Sequence, residues 1–393
     1  MDCVIFVKTI GILDNVLPLV FELKKAGIVS RIVFIARNRK TYEFIKKNSV
    51  LYDAIYFVGG RFTFMNKYNN RYFNCLHNIF VLRRYLYKKI ITIETFDVTK
   101  DQIISLLLAF NHKIFHGKRI KSLIINALYR LVKSVPIYRR AVSGDYEVKE
   151  IIIKGCDAIL LTGTIEEWNE AFNKKLITDV QLIQVGYTRG LKEWHHYLHR
   201  ITDRYIPEAV STTYIFIPLT YIGKWLTGED NMSSATLLKE SLSVLKEFNN
   251  DILTVFKPSH NTDMDKFQEI LKTTDYKNYI ISYIHPLLLI KRAKFTFTYT
   301  PTSIVIDAYY NGCTTVEYAH YDSRFYKLND GQSVYHSCVD FFIHRDVVKL
   351  KRVLSELIYN DIPVLRDQNR INEDFPILTQ KEIKDKFGWL CSK

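Results

Sequence analysis

The residues best suited to chemistry stand in a short segment that follows a predicted strand. Lys257, Ser259 and His260 come directly after the strand predicted at 252–256. An ammonium, a hydroxyl and an imidazole at the end of a strand can neutralise or hydrogen-bond an anion such as a phosphate. The alternative is an ordinary polar turn, with Pro258 as the turn former. The pattern therefore predicts an anion site and leaves a purely structural loop open.

Two further groups follow later strands in the same half of the chain. Thr302 and Ser303 follow the strand predicted at 295–300 and open a helix, where hydroxyls and N–H groups suit an anion. Glu317 lies at the tip of the strand predicted at 314–318, and its carboxylate can accept hydrogen bonds from a ribose or a base. A plain helix cap and a surface glutamate are the structural alternatives. Because the carboxyl ends of parallel strands meet at one edge of a sheet, we expect these groups to converge.

The charge of the chain favours an anionic partner. Its 393 residues hold 55 Lys and Arg against 41 Asp and Glu, a net charge of +14, which suits nucleic acid, a membrane surface or a phosphorylated molecule. Residues 81–140 alone hold 13 basic and three acidic residues. Within 118–140 the cations alternate with aliphatic residues, which predicts a basic amphipathic helix for an anionic membrane or glycolipid, or else a solvated helix face. The cations of this basic face are Lys118, Arg119, Lys121, Arg130 and Lys133.

Several classes of protein and site are disfavoured. The six cysteines form no Cys-x-x-Cys pair and no histidine cluster has zinc spacing, so we expect neither a metal site nor a disulfide framework. No nucleic-acid recognition motif accompanies the charge. The first residues lack the features of a signal peptide, and no apolar run approaches the about 18 residues of a membrane-spanning helix. We therefore expect a cytoplasmic protein that attaches peripherally to the inner face of the plasma membrane.

The elements that must position these residues alternate between strand and helix. Short β-branched runs followed by helical stretches recur along the chain, a pattern typical of βαβ units around parallel sheets. We predict an α/β protein with two αβα domains at 1–195 and 196–375, joined by a linker near 190–210. A closing helix at 376–393 is expected to pack back on the first domain.

The second half of the chain resembles the nucleotide-binding domain of GT-B glycosyltransferases. In that superfamily a strand ends in a Lys-Pro-His-like loop, a later strand ends in a Ser/Thr-rich turn that opens a helix, and a hydrophobic strand ending in Glu follows. The matching segments are 256–261, 299–308 and 312–318, and 182–189 resembles the strand and turn that close a GT-B N-terminal domain. The resemblance covers about residues 155–345. It implies two Rossmann-like domains facing a central cleft, with the acceptor on the first and the donor on the second.

Within GT-B, the paired loops are similar to those of bacterial enzymes that use cytidine-nucleotide donors. These include sialyltransferases, Kdo transferases and the glycerol- or ribitol-phosphate polymerases of teichoic acid synthesis. The resemblance implies a phosphate site made of Lys257, Ser259, His260, Thr302 and Ser303. The chain departs from the usual His-Pro order by reading Pro-Ser-His-Asn, and His285-Pro286 is a competing match that lies before the strand of the Ser/Thr loop.

The same resemblance directs attention to acidic residues. Asp230, beside Glu229, lies between the first strand of the second domain and the next helix, the general region of the Asp thought to act as nucleophile in retaining Kdo transferases. A carboxylate there can capture an oxocarbenium-like centre, although the pair can equally cap the helix. Glu94, Asp97 and Glu166 are candidates for acid or base, and Glu94, at the tip of a predicted strand, is the one we select.

These observations predict a glycosyltransferase that depends on a nucleotide sugar and on neither metal nor cofactor. The favoured donor is CMP-Kdo, transferred with retention to a bacterial surface polysaccharide or glycolipid. Two alternatives stay open: a CDP-glycerol or CDP-ribitol phosphotransferase-like enzyme, and a non-catalytic polysaccharide-assembly protein on the same scaffold. The expected partners are the nucleotide-sugar donor, the acceptor and an anionic membrane surface, and not nucleic acid.

Overall fold

The computed structural model describes most of the chain. The described residues are 2–7, 10–36, 39–64, 89–93, 149–153, 158–161, 174–178, 181–205, 213–220, 222, 233–259, 262–321, 326, 330–360, 364, 366 and 368–391. Their strands are β1 (Asp2–Val7), β2 (Arg31–Ala36), β3 (Gly60–Phe64), β4 (Lys89–Ile93), β5 (Lys149–Ile153), β6 (Ala158–Leu161), β7 (Lys174–Thr178), β8 (Gln181–Gln184), β9 (Tyr214–Leu219), β10 (Leu253–Pro258), β11 (Tyr279–Ile281), β12 (Ala293–Thr298), β13 (Thr314–Ala319) and β14 (Phe341–His344). Their α-helices are α1 (Ile10–Lys25), α2 (Arg39–Lys47), α3 (Ser49–Phe57), α4 (Lys192–Tyr205), α5 (Ser234–Leu245), α6 (Met264–Thr274), α7 (Pro286–Ile290), α8 (Ile304–Tyr310), α9 (Val347–Tyr359), α10 (Gln368–Asp374) and α11 (Gln380–Phe387).

The strands form two large parallel sheets of the same topology. In the first sheet the strand order is β3-β2-β1-β4-β6-β8, and in the second it is β11-β10-β9-β12-β13-β14. All neighbouring strands of both sheets run parallel, and β5 and β7 form a separate parallel pair. In each large sheet the first strand in sequence is central, the next two strands extend the sheet to one side, and the remaining three extend it to the other side. This is the doubly wound Rossmann order, which confirms the predicted α/β class with two Rossmann-like domains.

The strands of the second sheet are buried because helices cover both faces. All six residues of β9 are buried, as expected for a central strand whose residues are all apolar and whose first four are aromatic or β-branched. The helix α5 packs against α6 and α9, whereas α7 packs against α8. The helices α5 and α6 follow β9 and β10, whereas α7 and α8 come before and after β12, and right-handed crossovers place these two pairs on opposite faces of the sheet. The helix α9, which follows β14, returns to the face of α5.

The chain divides into two compact units. The first consists of residues 1–195 and 375–393, and the second of residues 196–374. The C-terminal segment joins the first unit through an antiparallel bridge between Gly186 and Ile377 and a hydrogen bond of 2.8 Å from Tyr187 N to Pro376 O. Gly186 has φ of +58°, and a Cβ there would lie 2.0 Å from Pro376 O. Only glycine satisfies both conditions at this contact.

Two predicted elements differ in the structure. The apolar run 54–58 predicts a strand, but it lies largely in α3, because Asn48 caps that helix by accepting a hydrogen bond from Leu51 N at 3.2 Å. The segment predicted as a linker near 190–210 contains α4, whose Trp194, Tyr197 and Leu198 are buried at helical spacing.

One boundary also differs. The pattern over 165–175 predicts a helix, yet Lys174 and Lys175 open β7, which pairs with β5. Residues 162–173 lie outside the described part of the chain. Short apolar runs fit either a helix or a strand, so their partners decide between the two.

Two kinds of feature are absent from the described ranges. None of the helices found there has the length and apolar character needed to cross a bilayer. Within the same ranges no three His, Cys, Asp or Glu side chains come together in a way that could hold a metal ion.

Candidate functional site

The carboxyl ends of β9, β10 and β12 lie side by side at the point where the order of the second sheet reverses. In an open α/β sheet such a reversal leaves a crevice outside the strand ends, and ligands bind there. With strands spaced about 4.8 Å apart, the ends of β10 and β12 lie about 10 Å from each other on either side of β9. The predicted Lys257 and Ser259 belong to the β10 side, and Thr302 and Ser303 to the β12 side.

Thr262 ties the end of β10 to the end of β9. Its Oγ1 accepts a hydrogen bond of 2.8 Å from Ser259 N and donates to Leu219 O at 3.0 Å. Ser259 N also lies 3.1 Å from Leu219 O. The hydroxyl of Thr262 has a single hydrogen and directs it at the backbone of β9. In the contact of 3.0 Å between Ser259 Oγ and Thr262 Oγ1, Ser259 is therefore the donor.

This assignment bears on the predicted role of Ser259. A hydroxyl binds an anion by donating its one hydrogen, and the hydrogen of Ser259 is directed inward to Thr262. Ser259 thus shapes the loop through its main chain and its inward hydroxyl. A direct contact between Ser259 and a phosphate stays a prediction.

A second group of hydroxyls joins β9 to β12. The N–H of Thr220 donates to the phenol oxygen of Tyr299 at 3.1 Å, and the Oγ1 atoms of Thr220 and Thr300 lie 2.8 Å apart. Burial raises the pKa of Tyr299 to about 12, against the lowering effect of its hydrogen bonds with Thr220. The phenol is therefore protonated at neutral pH, and the ends of all three strands are linked through hydroxyl groups.

Lys257 supplies the positive charge on the β10 side. It lies opposite Pro218 in the register of β10 and β9 and is half-buried. Its Nζ lies 3.4 Å from Pro258 O, a long and weak contact. An ammonium at this strand end can attract an anion in the crevice.

On the β12 side, Ser303 stands at the start of α8 with an exposed side chain that does not cap the helix. The carbonyl oxygens of Thr302 and Ser303 accept from Val305 N at 3.2 Å and Ile306 N at 3.1 Å. The helix is thus held by main-chain groups, and the structural alternative of a plain side-chain cap does not describe Ser303.

Glu317 lies on β13 and is fully buried. Its Oε1 accepts a hydrogen bond of 2.6 Å from the phenol of Tyr321, and its Oε2 accepts one of 3.0 Å from Ser333 Oγ. Burial raises the pKa of Glu317 to about 7, although both hydrogen bonds lower it. Both carboxylate oxygens hold loop residues that follow β13. A ribose or base contact for Glu317 stays a prediction.

The competing match, His285, has a structural role. It is 1% exposed, and its Nδ1 accepts a hydrogen bond of 3.3 Å from Leu287 N at the start of α7. The imidazole of His285 is thus buried and caps α7, the helix that follows β11. This favours the segment after β10 as the match for the His-containing loop.

Several predicted site residues lie outside the described part of the chain. They are Asp230, Glu94 and His260 of the site, and Lys118, Arg119, Lys121, Arg130 and Lys133 of the basic face. The alternative acids considered beside them, Glu229, Asp97 and Glu166, lie outside it as well. Their roles stay predictions.

Five residues of this region were not among the site residues selected from the sequence. Thr220, Thr262, Tyr299 and Thr300 make the hydroxyl links, and Tyr283, 68% exposed, follows β11 at the same edge of the sheet. The sequence could have indicated Thr220 and Tyr299, because each is the first residue after a central strand. Thr262 carries no such signal, since its partner Leu219 is 43 residues away.

The solved structures that this chain resembles are distant from it in sequence. No protein-family profile and no curated protein matches the sequence. The UDP-N-acetylglucosamine 2-epimerase from Rickettsia bellii is 11% identical with a TM-score of 0.47, and the match covers 99% of this chain and 95% of that one. S. aureus MnaA with bound UDP is 10% identical with a TM-score of 0.46, covering 96% and 91%. Anabaena Alr3699/HepE in complex with UDP and glucose is 9% identical with a TM-score of 0.44, covering 100% and 97%.

These likenesses are too distant to support statements about substrate or reaction. The fold assignment stands on the strand order and register of the two sheets themselves. The chain is an α/β protein with two Rossmann-like units, the second of which carries a cluster of hydroxyls and a lysine at its topological switch point.

Proposed function

We propose that this protein is a glycosyltransferase of GT-B type that binds a nucleotide-activated sugar on its second unit. The observation that carries the proposal is the set of hydroxyl groups that link the ends of β9, β10 and β12. Lys257 lies at the end of β10, and Thr302 and Ser303 follow β12 at the same edge of the sheet. This crevice is where doubly wound sheets bind ligands. One cation and several hydroxyl groups suit the phosphate groups of a nucleotide sugar.

The proposed chemistry needs charge neutralisation and positioning. When the bond between sugar and phosphate breaks, negative charge grows on the leaving phosphate, and fixed donors at the strand ends would stabilise it. Lys257, with Thr302 and Ser303, would perform this task without a metal ion or another cofactor. Asp230 as nucleophile and Glu94 as acid or base complete the proposal, which for these two residues depends on the sequence resemblance.

The proposed donor is a cytidine-activated sugar, with CMP-Kdo as the most specific form. This choice depends on the similarity of the segments 256–261 and 299–308 to those of cytidine-dependent enzymes. The exposed ring of Tyr283 at the end of β11 is suited to cover a nucleobase, because aromatic faces stack on bases. The acceptor would be a bacterial surface polysaccharide or a glycolipid.

We also propose that the protein works at the cytoplasmic face of a membrane. The support is the basic face that the sequence predicts from Lys118, Arg119, Lys121, Arg130 and Lys133, whose charge suits anionic lipids. A lipid-linked acceptor would be reached from such a position. Binding to vesicles with and without an anionic lipid tests this part of the proposal.

The function is tested by isothermal titration of the full chain with CMP and with UDP. We expect CMP to bind more tightly, and we expect Lys257→Ala to lose about tenfold or more in affinity because a charge-assisted contact is removed. Lys272→Ala is the matched control, since Lys272 is an exposed lysine on α6 of the same unit. Tighter binding of UDP would refute the cytidine donor, and absence of binding by both nucleotides would refute the proposed function.

A further inference from the structure

Two consecutive helices of the first unit, α2 and α3, expose aromatic rings to solvent. Among the described residues, seven large hydrophobic side chains are exposed, and three of them, Phe44, Tyr56 and Phe57, belong to these helices. Their exposed fractions are 43%, 50% and 53%. Only Asn48 separates the two helices in the chain. Such a concentration of exposed rings in one part of a fold is typical of a surface that meets a partner.

The spacing of residues along α2 places lysines around one of these rings. Lys40, Phe44 and Lys47 lie four and three residues apart, so they share one face of the helix. All three side chains are exposed, whereas Ile45 is buried on the opposite side. The solvent-facing side of α2 therefore presents an apolar ring between two ammonium groups.

Cations outnumber acids on the two helices. The acids are Glu43 and Asp53, and the four cations are Arg39, Lys40, Lys46 and Lys47. Glu43 lies on the same face as Phe44, but its carboxylate is 3.9 Å from Arg39 Nε. The net charge of this surface is therefore positive, which is complementary to the phosphate groups of anionic lipids.

The exposed ring of Tyr56 belongs to a connected layer of aromatic side chains. Tyr42 on α2 stacks on Phe62 of β3 with 4.6 Å between the ring centroids, and Tyr52 on α3 lies 6.3 Å from the same ring. Tyr52 in turn contacts Tyr56 edge to face at 5.0 Å. These contacts hold the rings in place before any partner binds, which lowers the entropic cost of docking.

We propose that α2 and α3 dock on a membrane that contains anionic lipid. Phe44, Tyr56 and Phe57 enter the headgroup region, where aromatic side chains are favoured, while Lys40 and Lys47 contact lipid phosphates. The phenylalanines favour a bilayer over an acidic polysaccharide, because their rings gain from leaving water and offer no hydrogen bond to a sugar. The inference goes beyond the proposed function, since it involves neither the donor site nor the basic face predicted at 118–140.

The test is co-sedimentation of the full chain with phosphatidylcholine vesicles, prepared with and without phosphatidylglycerol. Phe44→Ser should weaken binding to the anionic vesicles about tenfold, because an apolar ring no longer leaves water. The double variant Lys40→Glu, Lys47→Glu should weaken it by about tenfold or more, because two attractive charges become repulsive. Both variants should bind CMP like the unmodified chain.

The second unit offers matched controls for both changes. Val348→Ser removes an apolar side chain that is 81% exposed on α9. The double variant Lys272→Glu, Lys277→Glu reverses two exposed lysines. Both controls should bind the vesicles like the unmodified chain, and circular dichroism confirms that all variants fold.

Each result supports or overturns the inference. Losses in the Phe44 and the lysine variants, with both controls unchanged, support docking through α2 and α3. Equal binding of anionic vesicles by the unmodified chain and by either of these variants overturns it, and leaves the proposed function and the predicted basic face standing. Absence of vesicle binding also overturns it, as does binding of soluble polygalacturonate instead of vesicles, while the CMP titration decides separately on the donor site.

Discussion

Glu317 makes the stability of the second unit depend on pH in a direction that can be measured. Its pKa of about 7 in the folded protein compares with an ordinary value of 4.5. Between these values the folded state binds more protons than the unfolded state, so stability falls as pH rises. This stabilising contribution is complete below pH 4.5 and is lost as pH passes 7. At about 1.4 kcal/mol for each pH unit between the two pKa values, the loss is about 3 kcal/mol.

The perturbation is Glu317→Gln, which keeps the shape of the side chain and cannot ionise. Its carbonyl can accept from Tyr321 and its amide can donate to Ser333, the two partners of the carboxylate. We expect the unmodified protein to lose about 2–3 kcal/mol more than the variant between pH 5 and pH 8. Urea denaturation followed by circular dichroism at both pH values measures this difference, in which the titration of the histidines cancels.

Glu240→Gln is the matched control. Burial raises the pKa of Glu240, but hydrogen bonds from Arg345 and Tyr318 outweigh burial and hold the pKa below its ordinary value. Glu240 is thus ionised throughout the range from pH 5 to pH 8, and its replacement should leave the pH dependence unchanged. The reasoning about Glu317 is refuted if Glu317→Gln shows the same loss between pH 5 and pH 8 as the unmodified protein.

Three further predictions follow from single contacts. Thr262→Val should weaken CMP binding about tenfold by releasing the segment after β10, and Thr262→Ser should restore it; equal affinities in a titration would contradict the role of this hydroxyl. Gly186→Ala should lower the free energy of unfolding by at least about 2 kcal/mol, because a Cβ would lie 2.0 Å from Pro376 O. An unchanged midpoint of urea denaturation would contradict this prediction. Arg366→Ala should cost about 3–5 kcal/mol, because it removes the cation that lies 2.9 Å from the nearly buried Asp340 carboxylate and leaves that charge only its hydrogen bonds from Thr315; a loss below 1 kcal/mol in the same assay would count against this.

Much of the fold follows from local patterns in the sequence. The residues of β9 form an unbroken apolar run of strand-forming residues, and the helix predicted at 347–359 has its observed bounds because Asp346 caps it by accepting from Lys349 N at 2.9 Å. The strand predicted at 54–58 was wrong, because a short apolar run fits a strand or a helix equally well. The residue that favours the helix, its N-cap Asn48, lies outside the run.

The candidate site was predictable in place and less so in detail. Parallel strands end at one edge, so Lys257 and Ser303 could be assigned to the same edge before any contact was known. The hydroxyl links were not predictable, because the bond from Thr262 to Leu219 joins residues 43 positions apart. The hydrogen bond that Glu317 accepts from Ser333 was likewise not predictable, because Ser333 lies 16 residues further along the chain.

The most direct test of the central claim is a structure of the full chain with CMP bound. The account predicts the phosphate at the ends of β9, β10 and β12, within hydrogen-bond distance of Lys257, Thr302 or Ser303. A nucleotide bound at another edge of the second sheet, or a phosphate out of reach of these groups, would contradict it.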